Sequence, residues 1–382
     1  MIALKRLNPL RLCSFSVLVA ALMGVASLCL LEPARAAEPV RGVWVASVGS
    51  AAMMTPDGIK ATVARCKRIG INTLFVVTWN RGVTLYPSEL ARRELGVAID
   101  PRLEGRDPLK EVIDAAHAEG LKVIAWFEFG FSSSYRDPTG GTLLQKRPGW
   151  SALDPDGKLV SRNGFQWMNG FDPEVQGFLL DMLKEVVSNY DIDGVQGDDR
   201  LPAQPNTAGY DPLTVSLYQA EHNGASPPDD PSDREWTQWR ADRLSRFVQR
   251  AYRELKAIEP DLIVSWSPSV YPWSKQNYLQ DWPRWANEGW GDLFCPQLYR
   301  KDPGAYREEV RKLAEVQVAG VDRAKIAPGI LIGLADGYDL PGESLRAMVA
   351  ANREFGYQNE VYFYEGGFDE HGELIRSIYE AE

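Results

Sequence analysis

The chain is 382 residues long, 45% hydrophobic and 25% charged, with a formal net charge of -10. An acidic body of this kind excludes nucleic acid and anionic membrane as the main partners. Four cysteines and three histidines, His117, His222 and His371, show no metal-ligand spacing, so neither a zinc site nor any other cofactor is expected.

The first residues read as a targeting segment. Lys5, Arg6 and Arg11 form a basic region, an apolar run follows from about Phe15 to Leu31, and Ala34-Arg35-Ala36 is an A-x-A cleavage signal. Residues 1–36 are therefore expected to be a signal peptide and 37–382 the folded part. That places the protein outside the cytoplasm, in the periplasm or the medium, with an uncleaved anchor as the alternative. Removing Lys5, Arg6, Arg11 and Arg35 against Glu32 leaves about -13 on the mature chain. Cys13 and Cys29 leave with the leader, and Cys66 and Cys295 fall in helix and strand patterns, which suits two buried thiols.

Strand-like and helix-like runs then alternate to the end. Strands are expected at 41–47, 73–79, 121–128, 193–197, 262–267, 292–298, 326–332 and 360–364. Helices are expected around 59–69, 109–119, 175–187, 234–259, 278–288, 305–319 and 342–355, with a short one after His371. Eight units with continuously apolar strands suit a single-domain (β/α)8 TIM barrel, whose strands are buried on both faces. No G-x-G-x-x-G or Walker loop follows any strand, so the usual nucleotide-binding signature is missing. Two long segments, 129–172 and 201–234, would lie on the carboxyl face of the barrel as βα loops. Asp154-Pro155-Asp156-Gly157 reads as a turn rather than a calcium loop.

In such a barrel the strand ends carry the chemistry. Here they read Trp79-Asn80, Glu128, Asp198-Asp199, Trp266-Ser267, Pro296-Gln297-Leu298-Tyr299 and Glu365. Carboxylates among aromatic residues, without a metal or cofactor motif, suit glycoside hydrolysis, which needs two carboxyl groups around an oxocarbenium-like transition state. Consecutive strand residues point to opposite faces, so only one of Asp198 and Asp199 is expected to face the barrel mouth. Trp44, Trp79, Trp126, Trp266 and Trp273 are candidate sugar platforms, with core packing the competing role. Trp273 is the best placed because it follows the fifth strand in a loop.

The blocks RGVWVAS, NTLFVVTWNRGVTLYPS, AWFEFGF, WMNGFDPEV, DGVQGDD, GYDPLTVSLYQAEHNG, SPSVYPWSKQNYLQDW and FCPQLYR resemble the glycosyl-hydrolase-like 10 family of bacterial envelope proteins. The resemblance runs from about Arg41 to Glu365. It implies a (β/α)8 barrel acting on amino-sugar glycan strands, in particular peptidoglycan without stem peptides. It also implies site roles for Glu128, Asp198, Asp199, Gln297, Tyr299 and Glu365. The chain departs from the family in having Gly197 before the acidic pair, where a large apolar residue is frequent. After the pair, where an aromatic residue or His is frequent, it has Arg200, a cation able to lower a neighbouring Asp pKa.

The leading expectation is an exported glycoside hydrolase acting on an envelope polysaccharide, with cell-envelope proteins as a further class of partner. Asp198 is the first candidate for the catalytic carboxylate, with Glu128 or Glu365 as partner and Asp199 as alternate. Asn80, Trp79, Trp266, Trp273, Gln297 and Tyr299 are the candidates for holding sugar. A non-catalytic glycan-binding barrel and a lytic enzyme are the alternatives.

Overall fold

The computed structural model describes residues 38–335 and 337–382, so the expected signal peptide lies outside the described residues. Eight parallel strands form the core: β1 (Arg41–Val45), β2 (Thr73–Val77), β3 (Lys122–Phe127), β4 (Gly194–Gly197), β5 (Ile263–Trp266), β6 (Leu293–Phe294), β7 (Gly329–Leu331) and β8 (Glu360–Phe363). Each strand pairs with the next in sequence through β6, β7 pairs with β8, and β8 pairs with β1. Isolated parallel bridges Phe294–Ile326 and Gln297–Gly329 join β6 to β7 and close the (β/α)8 barrel.

The sixth and seventh strands are shorter than the apolar runs suggested. Pro296 and Pro328 lack the N–H that a continuous ladder needs, so pairing there survives only as single bridges. The helix expected over 278–288 is two pieces, Trp273–Tyr278 and Trp282–Asn287, separated where Leu279 adopts a left-handed φ of 61°. The 305–319 run is an α-helix at Pro303–Lys312 continued by a π-helical turn, Leu313–Gln317.

The outer helices start with a shared device. Thr55, Asp107, Asp172 and Asp302 each cap a helix whose first residue is proline, and each side chain accepts a backbone N–H of the first turn. Proline costs nothing there because its missing N–H would have no helical partner. Asp211 caps Pro212–Glu221 in the same way inside the second long loop.

The two long segments fold onto the carboxyl face. Residues after β3 form a three-stranded antiparallel sheet from Ser132–Tyr135, Ser161–Arg162 and Phe165–Trp167. The Asp154–Gly157 stretch turns between Leu153 and Leu159, which bridge antiparallel, and Asp154 Oδ1 accepts the Asp156 and Lys158 amides. Cys66 and Cys295 are buried free thiols, and burial pushes both up to about 12. No helix among the described residues is long and apolar enough to cross a membrane.

Candidate active site

Alternation along the strands decides which side chains reach the barrel axis. Inside the barrel, Trp44 packs against Phe75, Trp126 and Phe363 with ring centroids 5.9–6.3 Å apart. One layer carries hydrogen bonds as well. The Trp44 indole N–H donates to Gln196 Oε1 at 2.7 Å, and Gln196 Nε2 donates to Ser265 Oγ at 2.8 Å. Gln196 and Ser265 are fully buried, and these bonds offset the cost of desolvating them. Two residues further along the strands, the same alternation brings Glu128, Asp198, Ser267 and Gln297 to the mouth.

Asp198 is almost fully buried, whereas the Asp199 side chain is 24% exposed. Arg200 binds both. Its backbone N–H donates to Asp198 Oδ1 at 2.7 Å, and Nη1 lies 3.3 Å from Asp198 Oδ2 and 2.8 Å from Asp199 Oδ1. The guanidinium lies over the packed rings of Phe129 and Phe165, 5.1 and 4.6 Å from their centroids. Burial and then the neighbouring Asp199 raise the Asp198 pKa well above its ordinary value, with Arg200 opposing. The sequence reading gave Arg200 the power to lower an adjacent Asp; desolvation outweighs it.

Gly197 has a steric cause. A Cβ there would sit 2.3 Å from the Leu201 carbonyl oxygen and 2.7 Å from the Trp266 ring, so glycine lets the acidic turn fold back on the strand. Gln280, buried and far along the chain, pins that turn by donating from Nε2 to the carbonyls of Asp198 and Pro202 at 2.8 and 3.1 Å.

Glu128 follows β3 directly. It is buried, and its Oε2 has no hydrogen-bond partner. Burial pushes its carboxyl up to about 8, with smaller upward contributions from Asp199 and Glu365 and downward ones from Arg200 and Arg81. Glu365 lies in the turn after β8, also buried, with a carboxyl pushed to about 7 by burial. Its Oε2 accepts the Ala46 N–H at 3.2 Å, and Ser50 supplies a second hydrogen bond. The two acids differ in that respect: Glu365 is tied to the loop after β1, whereas Glu128 keeps an open oxygen.

The remaining candidates divide. Half-buried Gln297 donates to the Ser267 carbonyl and hydroxyl at 3.0 and 3.3 Å. Half-buried Tyr299 stands edge-on to Trp44, and burial together with the charges of Asp199, Asp198 and Glu128 keeps its hydroxyl protonated. Asn80 is buried between Ser47 and Arg81. Trp273 is 42% exposed and packs on Tyr278, whose pKa feels Asp199, so it stands at the rim on that side.

Two tryptophans are core residues rather than platforms. Trp79 is fully buried against Phe178 and donates to the Gly130 carbonyl. Trp266 is buried against Trp285 and donates to the Trp290 carbonyl. Neither presents a ring face to a ligand, and Trp44 and Trp126 are likewise interior. Sequence reasoning missed Gln196, Arg200 as a clamp, and Gln280. The partners of Gln196 and Gln280, and the rings under Arg200, lie up to 152 residues away, and no local pattern reports them. Among the described residues no group of three or more His, Cys, Asp or Glu side chains could hold a metal ion.

Residues 39–343 match the sequence profile of the glycosyl hydrolase-like 10 family. The chain belongs to that family. Two relatives are both named glycosyl hydrolases. DigH of Escherichia coli K12 is 26% identical over 304 residues, 69% of this chain and 66% of that protein. YngK of Bacillus subtilis is 25% identical over 325 residues, 76% of this chain and 61% of that protein. The match thus spans slightly under two thirds of either relative. Among solved structures, the PgaB (BpsB) glycoside hydrolase domain from Bordetella bronchiseptica superposes with a TM-score of 0.66. It is 14% identical and is covered over 89% of this chain and 99% of that one. The α-L-fucosidase isoenzyme 2 from Paenibacillus thiaminolyticus gives 0.63 at 19% identity, over 90% and 49% of the two chains. At these identities the likeness is one of fold: a TIM-barrel architecture shared with glycoside hydrolases.

Proposed function

We propose that the protein is an exported glycoside hydrolase cleaving amino-sugar glycan strands of peptidoglycan that lack stem peptides. The observation that carries the hydrolase reading is Glu128: a buried carboxyl with an unpartnered oxygen, protonated at neutral pH, beside the Asp198–Asp199–Arg200 cluster. A general acid needs this state, because it must hold its proton until the glycosidic oxygen takes it.

In this mechanism Glu128 donates to the glycosidic oxygen as the C–O bond breaks. The Asp198–Asp199 pair, bound by Arg200, faces the positive charge growing at the sugar ring. Water then adds at the anomeric carbon and returns a proton. Gln297 and Tyr299 offer polar contacts at the mouth, and Trp273 offers a ring face at the rim. Glu365 positions the loop after β1. A non-catalytic binding barrel is less well supported, because it relies on aromatic platforms and four of the five candidate tryptophans are interior.

The family membership and the named relatives support a glycoside hydrolase. The resemblance to bacterial envelope proteins supports the peptidoglycan substrate, and the leader pattern of residues 1–36 supports export. The test incubates protein beginning at Ala37 with purified peptide-free glycan strands and reads products by mass spectrometry beside Asp198→Asn. Shortened strands with reducing ends from the wild type alone are expected. Anhydro ends would replace hydrolysis with lytic cleavage, and strands bound but intact would leave a binding barrel.

A further inference from the structure

A cavity of about 360 Å³ opens between the loop after β2 and the small sheet after β3, and Arg81 on its wall packs on the ring of Phe129, the residue after Glu128. Arg81, Arg102, Ser133, Ser134, Tyr135 and Asp137 are among the residues lining it. That volume falls in the range of small-ligand pockets.

The charges on its wall are unequal in their engagements. Arg102 is committed to Asp100, with Nε at 3.1 Å from Oδ1 and Nη2 at 2.6 Å from Oδ2. Asp137 accepts from the Thr139 amide and hydroxyl at 3.0 and 2.7 Å. Arg81 is different. Its Nε donates to Asn80 Oδ1 at 2.7 Å, and neither terminal nitrogen has a hydrogen-bond or ion-pair partner among the described residues. Its guanidinium is set in place by rings, 5.1 Å from the Phe129 centroid and 5.6 Å from that of Tyr135.

The backbone beneath it is unusual too. Arg81 and Gly82 turn the hairpin between Trp79–Asn80 and Val83–Thr84 at φ 48° and 88°. Asn-Gly is the ordinary pair for two left-handed turn residues, and a long cationic side chain gains nothing from that conformation. Strain of this kind persists where surrounding structure fixes it and clusters at ligand sites.

We propose that Arg81 and this cavity form a subsite for a sugar ring bearing a carboxylate, seated next to the bond that Glu128 protonates. Its place along the glycan rests on the hydrolase reading above. Two free Nη groups on one planar fork match the two oxygens of a carboxylate. With Arg102 offset by Asp100, and Asp137 opposing Arg81, the wall carries no net charge, so recognition falls to the Arg81 fork itself and suits one carboxylate rather than a phosphate dianion. Tyr135, more than a third exposed, supplies an apolar wall for the ring. There is a consequence for the chemistry. The Arg81 charge lowers the Glu128 pKa, so a carboxylate that neutralises it holds the proton on Glu128 more firmly once the acidic ring is seated.

The experiment compares peptide-free glycan strands carrying free lactyl carboxylates with the same strands methyl-esterified, for wild type, Arg81→Gln and Arg81→Lys. A uronate-containing tetrasaccharide and its methyl ester form a second arm. Cleavage is read as kcat/KM, and binding to Asp198→Asn and Asp198→Asn/Arg81→Gln is read by calorimetry. Thermal melting checks that each variant folds. The wild type is expected to prefer a free acid over its ester by about tenfold or more. Arg81→Gln brings that ratio near one, and Arg81→Lys keeps an intermediate value. Whichever acid shows the larger ratio identifies the source of the carboxylate. Equal handling of acid and ester by the wild type, or a ratio unchanged in Arg81→Gln, overturns the subsite. Carboxylate-dependent binding without cleavage would uphold the subsite and sink the hydrolase reading. Neither binding nor cleavage would sink both.

Discussion

Two buried glutamates end strands that flank the barrel mouth, and they have been put to different use. Glu365, after β8, spends its carboxylate on the Ala46 amide and Ser50 and so fastens a loop. Glu128, after β3, is equally hidden from solvent yet leaves Oε2 without a partner. Burial raises both pKa values, to about 7 and about 8. Burial alone therefore does not mark a catalytic acid. In the proposed mechanism it is the open oxygen of Glu128, beside other charged groups, that sets it apart.

The largest expected effect comes from Asp198, at the end of the strand next to that of Glu128. Asp198→Asn should lower the rate on glycan strands by about 10³-fold or more, since it breaks up the Arg200-bound acid pair that faces the transition state. Glu128→Gln should cost about 10²–10³-fold in initial rate. Glu365→Gln should cost about tenfold or less, because its amide can still bond the Ala46 N–H. Equal losses in the two glutamine variants would erase the distinction between the acids.

Stability should separate them in the opposite sense. Glu128 titrates at about 8 when folded and near 4.3 when unfolded. Between those values the unfolded chain has released a proton that the folded chain keeps, so stability falls as pH rises through the window and levels off above it. Glu128→Gln removes that cost, on the order of a few kcal/mol. Its Tm should exceed wild type by roughly 2–6 °C at pH 8 and match it at pH 4. Glu365→Gln should gain less, since its window is narrower and its hydrogen bonds weaken on substitution.

The aromatic residues divide along the same line between core and mouth. Trp266→Ala should cost about 3–5 kcal/mol in denaturant unfolding through the cavity it leaves. The smallest effect is expected for Trp273→Ala, a KM rise of about two- to fivefold with Tm unchanged. A large KM change in the destabilised Trp266→Ala that persists well below its melting range would restore Trp266 as a platform.

Much of the fold was legible because most barrel strands are short apolar runs and the helices repeat at their own period. Asp-Pro pairs at 107–108, 172–173, 211–212 and 302–303 also announced helix starts and went unread. The strand ends followed from topology, and at the fourth of them Asp198 is buried while Asp199 is partly exposed. What a sequence could not report was which tryptophans are walled in. Trp79 and Trp273 follow strands in similar ways, and only the helix carrying Phe178 settles the first. Nor could it give the partners of Arg200, whose ring contacts come from opposite ends of a long excursion, Phe129 and Phe165.

The most direct test of the central claim is the pH dependence of kcat/KM on glycan strands for wild type and Glu128→Gln. The wild-type profile should fall on its alkaline side near pH 8, where Glu128 loses its proton, and the much slower variant should show no such limb. An alkaline limb that stays in place in Glu128→Gln would assign the proton to another group and contradict the account.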